Sequence, residues 1–324
     1  MDTGGDEPAP TYAGAMANIK IPGTDLDVSG LVFGTNIFGW SIHNQSEANR
    51  LLDAVVDAGI NFLDSADMYV QWHAGGVGGE SETMIGSWLA TSGKRDQVVI
   101  ATKVGKMTTR PGLRRDNIIA AVNDSLRRLG TDHIDLYYAH RDDQDTPLEE
   151  TLSAFHELVL AGKVLALGAS NYSAKRLRDA HAVAEANSLT PYVALQNEYN
   201  LVTREHYESD SVPAITELGL VGFPYFGLAS GFLSGKYRPG VAVDSVRQDR
   251  VVKDYLTEDN VNTLQQVVEV SDKHASAPAT VAIEWLRRQP GVHAPIVSAR
   301  NVNQLDALLA RVNLSEEDMA ALSR

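Results

Sequence analysis

Four side chains suited to acid–base and electrostatic chemistry are associated with short apolar runs of the sequence. Asp64 ends the run INFLD, Lys103 ends VVIATK, and His140 ends HIDLYYAH. Tyr69 follows Asp64 in the stretch NFLDSADMY. An acid, a phenol, an ammonium and an imidazole suit the reduction of a carbonyl group, because an oxygen that receives a hydride needs a proton and stabilisation of its negative charge.

Each of the four side chains has a defined task in such a reaction. Tyr69 would donate the proton, and a Lys103 ammonium beside it should lower the phenol's pKa from its ordinary value of about 10. Asp64 would hold Lys103 as its charged partner, and His140 would donate a hydrogen bond to the carbonyl oxygen. No covalent nucleophile is needed, because a nicotinamide cofactor would supply the hydride. These tasks require separate segments of the chain to meet in the fold.

The order of the segments predicts a fold that gathers them. Short apolar runs alternate with amphipathic helical patterns along most of the chain. The apolar runs cover 31–34, 60–64, 98–103, 133–140, 164–171, 193–200, 220–226 and 294–300, and helical patterns cover 46–59, 80–94, 117–130, 148–163, 173–187 and 301–312. Eight strand signals in one chain predict an α/β fold, a closed (β/α)8 TIM barrel, because an open doubly wound sheet has about six strands. The ends of its strands would converge on one mouth.

Three segments lie outside this repeating pattern. Residues 18–31 predict an N-terminal β-hairpin with a Pro-Gly-Thr-Asp turn that would close the bottom of the barrel. Residues 227–260 predict a long loop after strand 7, and long loops at the carboxyl ends of barrel strands bind ligands. Residues 1–15, acidic and rich in Gly, Pro and Ala, predict a flexible leader before a single domain over 16–324.

The amino-acid composition argues against several classes of function. The net charge of −14 argues against a nucleic-acid surface, and the absence of Cys excludes disulfides and thiolate chemistry. No apolar run of about 18 residues predicts a membrane span, and no histidine spacing predicts a metal site. We therefore expect a cytoplasmic protein acting on a small-molecule carbonyl or alcohol substrate, with a homo-oligomer left open.

Taken together, the motifs resemble the aldo-keto reductase family. NFLDSADMY is similar to the family's strand-two motif with its Asp and Tyr, ATK to its strand-three lysine, and YYAH to its strand-four histidine. GGESETMIGSWL, GKVLALGASNYS and LQNEYN are similar to further family blocks, in the same order, across roughly residues 18–324. The resemblance implies an NADPH-dependent oxidoreductase that reduces an aldehyde or ketone to the alcohol, reversibly.

The resemblance also implies a cofactor site around the barrel mouth. Ser170, Asn171 and Gln196 would bind the nicotinamide carboxamide, and Tyr225 would stack under the ring. The remaining cofactor contacts that it implies are Gly34, Thr35 and Asp64, then Leu228, Gly231, Leu233 and Lys236 in the pyrophosphate segment FGLASGFLSGK, and Ser298, Arg300 and Gln304 at the adenine end. A guanidinium at position 300 near the ribose phosphate favours NADPH over NADH.

This chain departs from the family pattern at three places. Phe226-Gly227 replaces a Ser-Pro pair that many relatives have after the stacking tyrosine. Ser298 stands where relatives often have Gly, and Leu308 stands where they often have Asn.

Aromatic residues in the first two loops predict the substrate pocket. We expect Phe38, Trp40 and Trp72 to form its walls beside His140, because they follow strands one and two in the chain. Such walls would favour aromatic or apolar aldehydes and ketones.

Two rival functions remain open. Some proteins of this fold bind NADPH as regulatory subunits of potassium channels and keep most of the same motifs. A barrel enzyme could instead form a Schiff base through Lys103, as an aldolase does. Borohydride trapping in the presence of substrate would label Lys103 in the second case.

Overall fold

Short runs of branched and aromatic residues become buried strands in the structure, a computed structural model that describes residues 18–237 and 248–323. The predicted leader and part of the long segment after strand 7 lie outside the described residues. The strands are β1 (Ile19–Lys20), β2 (Asp27–Val28), β3 (Val32–Gly34), β4 (Phe62–Asp64), β5 (Val99–Val104), β6 (Ile134–Ala139), β7 (Val164–Ser170), β8 (Ala194–Gln196), β9 (Val221–Gly222) and β10 (Ile296–Val297).

Eight of these strands form one parallel sheet. The order is β10-β3-β4-β5-β6-β7-β8-β9, so each strand pairs with its neighbour in the sequence, and β10 pairs with the first strand of the sheet. Backbone bonds also join the two ends: the Ile296 N–H donates to the Pro224 carbonyl at 2.8 Å and the His293 N–H to the Gly222 carbonyl at 2.9 Å. The closed (β/α)8 barrel predicted from the strand count is confirmed.

Helices connect the strands and cover the outside of the sheet. They are α1 (Gln45–Asp57), α2 (Glu80–Ser92), α3 (Arg115–Leu129), α4 (Leu148–Leu160), α5 (Ala174–Ala186), α6 (Val212–Leu218), α7 (Gln248–Asp254), α8 (Glu258–Lys273), α9 (Pro278–Arg287), α10 (Val302–Leu309) and α11 (Glu316–Leu322). Local sequence sets their ends: the Asn44 side chain caps α1 by accepting from the Ser46 and Glu47 N–H groups, and Gly130 ends α3 with φ 64°. No helix among the described residues is long and apolar enough to cross a membrane.

The apolar side chains divide into two layers because successive residues of a strand face opposite sides. One set, including Phe62, Leu136 and Tyr138, fills the barrel interior, and the other packs between the strands and the helices. The predicted N-terminal hairpin is confirmed, since β1 and β2 pair antiparallel and Ile21 and Val28 join the interior cluster. The barrel interior is therefore a packed core, and the functional residues of this fold lie at the carboxyl ends of its strands.

The described residues of the segment 227–260 form regular elements where the sequence predicted a long loop. It contains a short 3₁₀ turn, Ala229–Ser234, and α7, while residues 238–247 lie outside the described part. Phe226, Ala229 and Ser230 adopt left-handed backbone conformations, with φ of 57°, 47° and 57°. Such conformations cost energy in residues other than Gly, so this turn is held by its surroundings.

Candidate active site

The site residues occupy inward-facing positions at the carboxyl ends of the strands. They continue the alternation that places every second strand residue in the barrel interior. Interior residues recur every second position along each strand, and the next inward position at the carboxyl end carries a polar residue or Gly. These positions, strand by strand, are Gly34, Asp64, Lys103, His140, Ser170, Gln196, Tyr225 and Ser298. All eight are residues that the sequence assigned to the site, and the barrel places them in one ring.

Lys103 is the centre of a buried hydrogen-bonded group, which we call the Lys103 cluster (Asp64, Ser65, Tyr69 and Lys103). Its ammonium donates to Asp64 Oδ2 at 2.6 Å, to the Ser65 carbonyl at 2.6 Å and to Tyr69 Oη at 2.9 Å. Lys103 is 0% exposed. Three acceptors match the three N–H donors of a charged lysine, so the geometry is that of an ammonium.

The structure differs from the sequence-based expectation for the pKa of Tyr69. Burial raises the pKa of Tyr69 well above its ordinary value, and the charge of Asp64, whose Oδ2 accepts from the phenol at 3.3 Å, raises it further. Burial also lowers the pKa of Lys103, and the nearby carboxylates oppose that change. Tyr69 is therefore a protonated phenol at neutral pH, which is the form that donates a proton.

His140 lies beside this group as a neutral imidazole. It is 7% exposed, and burial together with the positive charge of Lys103 holds its pKa well below the ordinary value. Its ring packs edge-on against Tyr69, with centroids 6.2 Å apart. Nδ1 of His140 is buried and has no hydrogen-bond partner among the described residues.

Polar side chains at the ends of β7 and β8 form the next part of the ring. Gln196 donates to Asp64 Oδ1 at 2.9 Å, which links it to the Lys103 cluster. Asn171 donates through Nδ2 to Ser170 Oγ and to the His140 carbonyl, both at 2.9 Å, and accepts from the Tyr225 hydroxyl at 2.8 Å. The structure thus brings together all the residues assigned to the nicotinamide.

Asn197 is a supporting residue that the sequence analysis missed. Its Oδ1 accepts from the Asn171 N–H at 2.7 Å, and its Nδ2 donates to the Tyr172 carbonyl and to Ser211 Oγ. These bonds hold Asn171 in a left-handed conformation with φ 57°. The signal available was its place in LQNEYN, directly after the inward-facing Gln196.

Thr35 and Gly34 support the other side of the ring. The Thr35 hydroxyl donates to the Asp64 carbonyl at 2.9 Å and shares a 2.8 Å hydrogen bond with Ser81 Oγ, and Thr35 is 0% exposed. Its side chain therefore positions the backbone of Asp64. A Cβ at Gly34 would lie 2.9 Å from Ile296 Cγ2 and Ser298 Oγ, so the close approach of β3 and β10 requires Gly.

Of the three aromatic residues predicted to line the substrate pocket, the two tryptophans lie near Tyr69 and Phe38 does not. Trp72 is 48% exposed, and its ring lies edge-on to Tyr69 at 5.8 Å and to Trp40 at 6.1 Å. Phe38 is not a wall: it is 0% exposed and packs near Phe33, with centroids 6.3 Å apart, in the core between sheet and helices. The turn after β3 directs its side chain inward, which residue type alone did not reveal.

At the pyrophosphate segment, side chains and backbone have different surroundings. Leu233 is fully buried in the core, while Lys236 is exposed, with Nζ 5.0 Å from the Tyr237 ring centroid. Leu228 is partly buried, and Gly231 has φ 97°. The segment can therefore present backbone groups and one cation to a ligand.

At the adenine end the side chains lie on the surface. The Arg300 N–H donates to Gln304 Oε1 at 2.9 Å, and both residues are exposed. Ser298 Oγ donates to the Gly34 carbonyl at 2.7 Å. Leu308 is buried in the core, so its side chain offers no polar contact at this end.

Comparisons with known proteins agree with this geometry. The model of the aldo/keto reductase family matches residues 30–324. The chain is 35% identical over 302 residues to an uncharacterized oxidoreductase, YrpG, of Bacillus subtilis (strain 168), with 90% of each chain covered. It is 34% identical over 300 residues to aldo-keto reductase str7 of Strobilurus tenacellus, covering 90% of this chain and 84% of the relative. It is 32% identical over 288 residues to a probable voltage-gated potassium channel subunit beta of Oryza sativa subsp. japonica, with 86% of each covered.

The chain belongs to the aldo/keto reductase family, whose members are oxidoreductases that generally use nicotinamide cofactors.

Proposed function

We propose that the protein reduces an aldehyde or ketone to the alcohol, reversibly, with NADPH as cofactor and Tyr69 as the proton donor. The observation that carries this proposal is the Lys103 cluster. A buried ammonium lies 2.6 Å from Asp64 and 2.9 Å from the phenol oxygen of Tyr69. That arrangement suits a phenol that must lose a proton and regain it.

The roles of the cluster follow from its charges. When Tyr69 gives its proton to a substrate oxygen, the tyrosinate remains 2.9 Å from the Lys103 ammonium, which stabilises it. Asp64 keeps Lys103 charged and fixed, so the stabilising charge needs no rearrangement during the reaction. A general acid of this kind contributes about 10²- to 10⁴-fold to the rate.

His140 and the tryptophans would hold the substrate. A neutral imidazole can donate one hydrogen bond to a carbonyl oxygen, and the ring of His140 packs edge-on against the ring of Tyr69. Trp72 and Trp40 extend this wall outward. Their apolar surfaces favour an aromatic or apolar carbonyl compound.

The residues present fit a nicotinamide dinucleotide. Ser170, Asn171 and Gln196 supply amide and hydroxyl groups at adjoining strand ends, and the partly exposed ring of Tyr225 is fixed by its bond to Asn171. When bound there, the cofactor would supply the hydride. The exposed cation of Arg300 supports a preference for the additional phosphate of NADPH.

The structure bears differently on the two rival functions, Schiff-base catalysis and a regulatory subunit. A Schiff base requires a neutral amine, whereas Lys103 uses all three donors as an ammonium paired with Asp64. The regulatory-subunit function is supported by the names of several relatives, including the rice protein, which are called potassium channel subunits beta. The Lys103 cluster fits the enzyme, and hydride transfer to a carbonyl compound distinguishes the enzyme from the regulatory subunit.

Transfer of the hydride itself tests the proposal. The purified protein is incubated with NADPH deuterated at C4 and a panel of aromatic and aliphatic aldehydes and ketones, and the alcohol products are analysed by mass spectrometry. We expect deuterium on the former carbonyl carbon over many turnovers, with lower turnover from NADH. The regulatory subunit would be favoured instead if the protein binds the cofactor but forms deuterated alcohol from no compound faster than the protein-free control does.

A further inference from the structure

A π-helical turn, Tyr207–Ser211, lies behind the part of the site assigned to the nicotinamide and directly precedes α6. We call it the π turn. Two of its side chains bond to the segments that follow β7 and β8: Asp210 Oδ2 accepts from the Ala174 N–H at 2.7 Å, and Ser211 Oγ accepts from Asn197 Nδ2 at 3.0 Å. Such turns are rare and occur frequently at functional sites. The function proposed above assigns no role to this turn.

Asn197 connects the π turn to Asn171, the residue that follows β7. Asn197 is 2% exposed, its Oδ1 accepts from the Asn171 N–H at 2.7 Å, and its Nδ2 donates to the Tyr172 carbonyl at 2.9 Å as well as to Ser211. The carbonyl of Asn197 accepts from the Tyr225 N–H at 3.1 Å. One buried residue therefore holds the backbone of the segments that carry Asn171 and Tyr225.

The backbone of Asn171 needs this support. Its φ is 57°, a left-handed conformation that costs energy in a residue other than Gly. The Gln196 carbonyl also accepts from the Asn171 N–H, but at 3.3 Å, so the bond to Asn197 is the shorter of the two. In this conformation the exposed amide of Asn171 donates to Ser170 Oγ and accepts from the Tyr225 hydroxyl. The orientation of that amide therefore depends on Asn197.

We propose that Asn197, supported by the π turn, is a positioning residue that holds Asn171 in the orientation in which its amide binds the carboxamide of a nicotinamide. The inference rests on the proposed function, which takes Asn171 as a contact of the cofactor. Asn197 is buried and its side-chain groups bond within the protein, so it acts through Asn171. Its contacts lie at the ends of β7 and β8, so its effect should be confined to the nicotinamide half of the cofactor.

The variant Asn197→Ala tests this inference through two dissociation constants, measured by calorimetry on the full chain. One is for NADP+, and the other is for 2′-phospho-ADP-ribose, the same molecule without the nicotinamide. We expect Asn197→Ala to weaken NADP+ by about three- to tenfold, because that is the effect of losing one or two hydrogen bonds. The affinity for 2′-phospho-ADP-ribose should stay within about twofold of the wild type.

The matched control is Asn61→Ala at the opposite end of the barrel, just before β4. Asn61 has the same bonding pattern, because its Oδ1 accepts from the Ser29 N–H at 2.8 Å and its Nδ2 donates to the Asp27 carbonyl at 2.9 Å. Both affinities should be unchanged in this variant. If Asn197→Ala does not fold, Ser211→Ala removes only the hydroxyl that supports Asn197, and the same selective weakening of NADP+ is expected at about two- to fourfold.

A second background tests whether Asn197 acts through Asn171. Asn171→Gly removes the amide and keeps the left-handed backbone, which Gly adopts without strain. In that background Asn197→Ala should change the NADP+ affinity by less than about twofold, because no amide remains to be oriented. A purely structural role of Asn197 would weaken NADP+ equally in both backgrounds.

Three results would overturn the inference: equal weakening of NADP+ and 2′-phospho-ADP-ribose, unchanged affinity for both, or the same loss of NADP+ affinity in the Asn171→Gly background. Failure of the proposed function has a different signature, the absence of hydride transfer by the wild type. Hydride transfer by the wild type together with any of the three results would leave the proposed function intact and remove the role of Asn197.

Discussion

At the scale of single residues, the site is built around a buried ion pair between Lys103 and Asp64. Lys103 and Asp64 are 0% and 2% exposed, and removing one member of such a pair leaves the other buried and uncompensated. We expect Lys103→Met to lower the free energy of unfolding by about 3 to 5 kcal/mol, measured by urea denaturation. Adding Asp64→Asn should recover part of that loss.

The matched control for this prediction is Lys94→Met. Lys94 pairs with Asp53 at 2.9 Å, but their side chains are 22% and 44% exposed, so the expected loss is at most about 1 kcal/mol. If the two lysine variants lose equal stability, Lys103 and Asp64 do not form the buried ion pair described here.

Residue types and their order predicted the partners of Tyr69 but not the state of its proton. The sequence indicated a nearby ammonium, and that alone implied a lowered pKa. Burial acts in the other direction and outweighs it, because a desolvated phenol resists ionisation. Burial depends on how the second loop folds over the barrel, which no short motif specifies.

At the scale of secondary-structure elements, packing between β6 and β7 sets the floor of the site. A Cβ at Gly168 would lie 2.3 Å from Cε1 of Tyr138, whose ring is 6.0 Å from Lys103 Nζ. We expect Gly168→Ala to displace the Tyr138 ring, costing about 1 to 3 kcal/mol of stability and reducing the reduction rate. Denaturation and steady-state kinetics measure the two effects.

A second substitution, at Tyr138, tests whether the clash with its ring causes the loss of stability. Replacing Tyr138 by Leu removes the ring atoms that the new methyl group would meet, so Gly168→Ala should cost less stability in a Tyr138→Leu background than in the wild type. Equal costs in the two backgrounds would show that the two residues do not compete for space.

Sequence periodicity predicted the elements unevenly. Long buried strands such as β5 and β7 were placed within a residue or two, because continuous apolar runs bounded by turns are distinctive. Helices α6, α8 and α9 were not singled out, although Pro278 at the first turn of α9 is a recognisable start signal. The 3₁₀ turn after β9 could not be predicted, since its left-handed Ala229 and Ser230 depend on tertiary packing.

At the scale of the whole molecule, barrel closure turns eight separate strand ends into one ring of functional groups. The two-residue alternation of the strands could have predicted this from the sequence, because each site residue continues the parity of the apolar positions before it. This alternation does not apply to loop residues, and the position of Phe38 in the core was therefore not predicted. The adenine end also remains a prediction, since Arg300 and Gln304 lie on the exposed surface.

The central claim is that the phenol of Tyr69 supplies the proton, and Tyr69→Phe tests it most directly. Single-turnover reduction by the NADPH-bound variant is compared with the wild type, with NADPH affinity measured separately and Tyr192→Phe, a buried tyrosine outside the site, as control. We predict a loss of at least ~10²-fold in the rate with nearly unchanged NADPH affinity, because a general acid contributes that much. A variant that keeps the wild-type rate within a few-fold would contradict the account.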